Sequence, residues 1–182
     1  MPRRLLNDAQ KKYLLKLARD AITYYLDTGK HFRVNPDDAA LEEKKGAFVT
    51  IKTHGNLRGC IGYPLPTDPL YKTIIDAAIQ AATKDYRFQP LTQEELSDTR
   101  IEISVLSLPQ TIKETSEIKI GKHGIIVSHG LNRGLFLPQV PVEWNWDLET
   151  YLKHGSLKAG LEEDAWRKDA EIQIFSAQVF SD

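Results

Sequence analysis

The stretch Ala47-Phe48-Val49-Thr50-Ile51-Lys52-Thr53-His54-Gly55-Asn56-Leu57-Arg58-Gly59-Cys60-Ile61-Gly62 decides the fold. Its first half is rich in β-branched residues, and Gly55-Asn56 can form a two-residue type II′ turn that returns the chain through Leu57 to Gly62. That is a β-hairpin, and a hairpin argues against a purely parallel sheet. On the returning strand, period-two geometry sets Leu57, Gly59 and Ile61 on one face and Arg58 and Cys60 on the other. A cation and the single thiol of the chain are therefore expected to point the same way.

Toward the N-terminus, Asn7 followed by Gln10 is a capping-box signal, and apolar residues recur at Leu14, Leu17, Ala18, Ala21, Ile22 and Tyr25 until Gly29. This predicts an amphipathic helix. His31 to Lys45, with Asn35-Pro36-Asp37-Asp38 inside it, reads as a connecting loop. Toward the C-terminus, Asp68 is placed to cap a second helix with Pro69 at its first position, running through Leu70, Ile74, Ala77, Ala78 and Ala81. Asp85 to Pro90 is a loop, and Thr92 with Glu95 forms another capping-box signal for a short helical turn. Arg100 to Leu106 alternates as a strand, with Ile101, Ile103 and Val105 toward a core and Glu102 opposite. Shorter strands are expected at Ile118 to Ile120, His123 to Val127 and Arg133 to Leu137, after which Pro138-Gln139-Val140-Pro141 halts pairing. A third helix starts near Asp147 with Leu148, Tyr151 and Leu152 on one face, Gly155 weakens its continuation, and Glu171 to Val179 closes the chain as strand. No repeat or flexible linker interrupts the chain, so residues 1–182 read as a single α+β domain with a mixed, largely antiparallel sheet flanked by helices.

Hydrophobic residues make up 41% and charged residues 27%, an ordinary globular balance. Lys and Arg number 24 against 25 acidic residues, which leaves no global field for a phosphate backbone and disfavours nucleic acid as partner. Met1-Pro2-Arg3-Arg4 is basic, but Asn7, Asp8, Gln10, Lys11 and Lys12 break the following apolar stretch, which excludes a signal-peptide core, and no run approaches a membrane span. A lone cysteine allows no intrachain disulfide, and a cytoplasmic location is expected.

Cys60 is either a nucleophile whose thiolate Arg58 favours or a small buried hydrophobe. Gly59 and Gly62 flank it where larger side chains would help a sheet, which suggests close approach of a backbone or ligand, or a bulge. Glu102 is either solvated or paired, and a paired carboxylate can act as acid or base. His54 precedes the turn a strand's length from Cys60 and is a further candidate base, with an ordinary exposed histidine as the alternative. His54, His123 and His129 lack ligand spacing, so no metal and no cofactor are expected. Arg87 and Phe88 suit a clamp on a planar or anionic ligand, although Arg87 can equally pair with Asp85 while Phe88 anchors the loop. Trp144, Trp146 and Trp166 either line a partner surface or anchor packing.

Leu57 to Gly62, Asp85 to Pro90, Ile101 to Leu106, His123-Gly124-Ile125, Leu137 to Val140, and Leu157 to Leu161 followed by Trp166 together resemble the AMMECR domain family, over nearly the whole chain. Where many relatives carry a second cysteine before Lys158, this chain has His154-Gly155-Ser156-Leu157. The resemblance implies an α+β fold with a larger and a smaller lobe and with the Arg58 to Gly62 segment near the cleft between them. The candidate binding residues are Arg58, Gly59, Gly62, Asp85, Arg87, Phe88, His123 and Gln139. A recurrent association with Memo-like and radical S-adenosylmethionine proteins points to a binding module or enzyme partner. The alternatives are a small-molecule enzyme using Cys60 with Glu102 or His54, and a nucleic-acid-associated regulatory protein.

Overall fold

The computed structural model describes residues 5–182, and the basic start Met1-Pro2-Arg3-Arg4 lies outside them. Helix α1 (Asp8–Thr28) begins with the reciprocal cap: Asn7 accepts the Gln10 N–H and Gln10 accepts the Asn7 N–H, both at 2.9 Å. It ends at Gly29, whose φ of 67° suits a residue without Cβ. The expected loop from His31 to Lys45 contains one further helical turn, α2 (Ala39–Glu42), because Asp38 accepts the Ala40 N–H at 2.9 Å.

The hairpin joins β1 (Ala47–Thr53) and β2 (Asn56–Tyr63), but its turn lies one residue earlier than expected. Thr53 pairs with Asn56, so the two turn residues are His54 and Gly55, with φ of 51° and 81°. Two successive positive φ values mark a type I′ turn, whose twist matches that of the strands. Lys52 pairs with Leu57 and Ile51 with Gly59, which leaves Arg58 as a bulge. The bulge resets the alternation: Leu57 shares a face with Lys52, Thr50 and Cys60, and Arg58 does not follow Cys60 as strict period two required.

Helix α3 (Leu70–Thr83) starts one residue after the expected position. Pro69 is its cap, and Asp68 accepts from the Thr67 hydroxyl at 2.9 Å instead of capping. Thr92 and Glu95 form the expected box before a single 3-10 turn, which leads into β3 (Thr99–Leu106).

Next come β4 (Gln110–Thr111), β5 (Gly124–His129), β6 (Asn132–Phe136), α4 (Val140–Glu143), α5 (Leu148–Lys158), β7 (Glu171–Phe175) and β8 (Ala177–Ser181). Ile118 to Ile120 is not a strand; Ile118 follows a 3-10 turn and is buried as a core anchor. Helix α5 continues through Gly155 because close packing needs the missing side chain: a Cβ there would lie 2.8 Å from Val127 Cγ2 and 3.0 Å from Ile125 Cδ1. The expected final strand is divided at Ser176, and its two halves join different sheets.

The strands form two four-stranded sheets rather than one, in the orders β2-β1-β3-β8 and β4-β7-β5-β6. The larger unit runs through Leu106 and takes back Gln178–Asp182; the smaller is Ser107–Ala177. In the larger, Leu14 and Ile22 of α1 and Ile74 and Ala78 of α3 are buried in one core with Val49, Ile51, Ile101 and Ile103. Each large aliphatic side chain of that set contributes roughly 1.5–3 kcal/mol of transfer free energy. In the smaller, Tyr151 and Leu152 of α5 pack in a second core with Ile125 and Val127. The class is α+β.

Candidate functional site

Register brings together side chains that are remote in sequence. Thr50 lies opposite Cys60 on one side and Glu102 on the other, so Cys60, Thr50 and Glu102 form a row across three strands. The row lies on the face opposite Val49 and Ile51, whose side chains enter the core. Cys60 is half-buried, and Thr50 donates its hydroxyl hydrogen to Sγ at 3.2 Å. Glu102 is the paired carboxylate of the two alternatives, accepting from Lys52 Nζ at 2.9 Å. Its backbone is two strand spacings from Cys60, about 10 Å, beyond direct proton transfer.

The outer edge of β2 is covered by the loop after α3. Asp85 is 4% exposed and accepts four hydrogen bonds, from the N–H groups of Cys60 (2.9 Å) and Arg87 (3.2 Å) and from Arg87 Nε (2.9 Å) and Nη2 (2.7 Å). The Arg87 side chain foremost, with the two backbone donors, holds the Asp85 carboxyl far below the usual carboxylate range against the opposing effect of burial. The same side-chain bond raises Arg87. Asp85 thus satisfies an edge N–H that a further strand would otherwise claim.

Arg58 turns to this loop instead of to the thiol. Its Nε and Nη2 each meet a Glu95 carboxylate oxygen at 3.1 Å, and Nη1 donates to the Gln89 carbonyl at 2.8 Å. That fork is the main cause of the lowered Glu95 pKa. Arg87 reaches the Cys60 main chain, its Nη2 donating to the Cys60 carbonyl at 3.4 Å. Arg87 also stands 5.5 Å over the Phe88 ring, while Tyr86 beside it is 95% exposed.

The glycines next to Cys60 are explained by packing. A Cβ on Gly59 would lie 2.1 Å from the Ala81 carbonyl oxygen of α3, and one on Gly62 would lie 2.3 Å from the Phe48 ring. The expected close approaches are to protein atoms.

Other candidates lie apart from this row. His54 is exposed in the turn, four strand residues and about 13 Å from Thr50. His123 and Gln139 belong to the smaller unit. His123 Nδ1 accepts from the Lys119 N–H at 3.2 Å, and its carbonyl accepts from the buried Tyr151 hydroxyl at 3.2 Å. The Gln139 carbonyl accepts the N–H groups of Val142 and Glu143 at the start of α4. Trp146 stacks on His154 at 4.2 Å and Trp166 packs on the second core, whereas Trp144 is 68% exposed.

Sequence reasoning missed Thr50, Lys52 and Glu95. The hairpin signal held the register that places Thr50, but no local pattern joins Arg58 to Glu95 across 37 positions. Among the described residues, no group of three or more His, Cys, Asp or Glu is arranged to hold a metal ion, and no helix is long and apolar enough to cross a membrane.

The AMMECR1 family matches residues 15–180. Protein MK0488 of Methanopyrus kandleri is 48% identical, the match covering 94% of this chain and 87% of that one. Protein PYRAB00100 of Pyrococcus abyssi is 43% identical, with coverage of 97% and 92%. The crystal structure of the uncharacterized protein PH0010 from Pyrococcus horikoshii superposes with a TM-score of 0.88 at 41% identity, covering 97% of this chain and 93% of that one. Sequence and fold agree over almost the full length, and the chain belongs to the AMMECR1 family.

Proposed function

We propose that this chain is a cytoplasmic binding module that docks on a partner enzyme through the tip formed by Tyr86, Arg87 and Phe88. The observation that carries this reading is the contrast at Asp85. Its carboxylate is buried under four hydrogen bonds, yet the residue after it is 95% exposed. A rigid loop that presents a tyrosine and a guanidinium loses little conformational entropy on binding, and these residue types dominate binding energy at protein interfaces. The ionic groups around Cys60 serve the fold: Arg58 is held by Glu95, Arg87 by Asp85 and Glu102 by Lys52.

The family resemblance makes Memo-like and radical S-adenosylmethionine proteins the partners to test. Calorimetric titration of each purified candidate should give saturable binding that Tyr86→Ala and Arg87→Ala weaken at least about tenfold, with Cys60→Ser close to wild type. Tyr86→Ala is the cleaner variant because its side chain has no packing role to lose. A complex indifferent to both substitutions would overturn the assignment of this tip.

The Thr50 hydroxyl directed at Sγ favours a second reading, in which Cys60 is the nucleophile of a small-molecule enzyme. This requires a depressed thiol pKa. An alkylation-rate profile against pH that follows an ordinary thiol removes it.

A further inference from the structure

A groove of about 520 Å³ lies in the larger unit, with walls from α1 and from the strand β8. Leu15 and Phe180 line it, and both are partly buried against the core, so its floor is apolar. Its rim is basic: Lys11, Lys12, Lys16 and Arg19 line it against Asp8 and Asp182, on a chain whose net charge is −1. Three of these cations hold ion pairs, Lys11 with Asp8, Lys16 with Asp20 and Arg19 with Asp182, all with partly or fully exposed members. The two exposed lysine pairs contribute on the order of 1 kcal/mol or less, whereas Arg19 is also held by the carbonyls of Leu96 and Thr99, each at 3.0 Å. Among the described residues Lys12 makes no ion pair.

The other wall is the outermost strand of its sheet, in the order β2-β1-β3-β8. The opposite edge, β2, is covered by Asp85; at β8 the Leu6 main chain is tied to the Gln178 side chain by two hydrogen bonds, at 3.0 and 2.9 Å, and no strand among the described residues adds to it. The lengths agree: the eleven helical steps from Asp8 to Arg19 rise about 17 Å, and five strand residues extend about 17 Å.

We infer that this groove accepts an extended acidic segment of a partner protein as a fifth strand on β8. Main-chain hydrogen bonds to the edge supply affinity, and side chains on the α1 side of the added strand supply selectivity. Acidic residues there meet Lys12 and Lys16, and an apolar one meets Leu15 and Phe180.

The test is a titration of the ¹⁵N-labelled full chain, followed by amide chemical shifts, with a blocked synthetic heptapeptide of alternating glutamate and valine. The counterpart with lysine for glutamate is the control. Saturable shifts are expected at Ala177–Ser181 and along α1, weakening as salt is raised. The double variant Lys12→Gln, Lys16→Gln should weaken binding at least about fivefold while lowering the melting temperature by no more than about 2 to 4 °C, because both side chains are solvent-exposed and only the Lys16–Asp20 pair is lost. Tyr86→Ala should leave it unchanged, which separates this site from the tip. Absence of saturable shifts at β8 overturns the inference. So does equal binding of the lysine peptide, or a response confined to α1, which marks anion pairing on the helix surface without strand addition.

Discussion

Replacing Asp85 by asparagine tests whether the buried carboxylate organises the edge of β2. The substitution keeps the shape but places an amide NH₂ against the donors now at 2.7 to 3.2 Å. Hydrogen bonds to a charged group contribute roughly 1.5–3 kcal/mol, and breaking a buried ion pair costs about 3–5 kcal/mol. The Arg87 side chain is 44% exposed and regains water when its partner goes, which discounts the ionic part. The net loss at neutral pH is about 2 kcal/mol, a fall in melting temperature of about 4 to 8 °C. The folded protein holds this carboxyl below its unfolded value, so its stabilisation is fully present above the unfolded pKa of about 4 and is lost as pH falls toward the folded one. Urea unfolding of wild type and Asp85→Asn at a series of pH values should therefore give a gap that is constant from pH 7 to about 5 and narrows below about 4. Comparing the two proteins cancels the other titrating groups. A gap that stays constant into acid, or a more stable variant, would refute the role assigned to the charge.

Gly59→Ala should destabilise by about 1–3 kcal/mol, because its new Cβ meets a helix carbonyl that cannot rotate away, and Ala81→Gly should fail to rescue it in thermal melts. Arg58→Lys should lose about 1 kcal/mol because an ammonium cannot reproduce the two-pronged contact with Glu95, a loss read by urea unfolding and absent if the pair is only superficial. His54→Asn should stabilise by about 0.5 kcal/mol, since asparagine before Gly55 suits two positive φ values, and a lower melting temperature would contradict the type I′ assignment.

The elements that the sequence determined by itself are those whose causes are local. The Asn7–Gln10 cap, the stop at Gly29, the hairpin and the alternation through Ile101, Ile103 and Val105 each rest on residues a few positions apart, so their signals survive without knowledge of the fold. Misreadings arose where one residue of register mattered: His54 rather than Asn56 entered the turn, and the Arg58 bulge removed that side chain from the Cys60 face. Gly155 weakens an isolated helix, and only its contact with Val127 and Ile125 shows why α5 passes through it. The site itself is a product of tertiary structure. Sequence marked Cys60, Asp85 and Glu102 as candidates, but strand pairing placed Thr50 between Cys60 and Glu102, and the return of the α3 loop gave Arg58 to Glu95 and Asp85 to the Cys60 amide. Neither the amide–carboxylate bond across 25 positions nor the ion pair across 37 leaves a periodic trace, because both depend on distance in space and not along the chain.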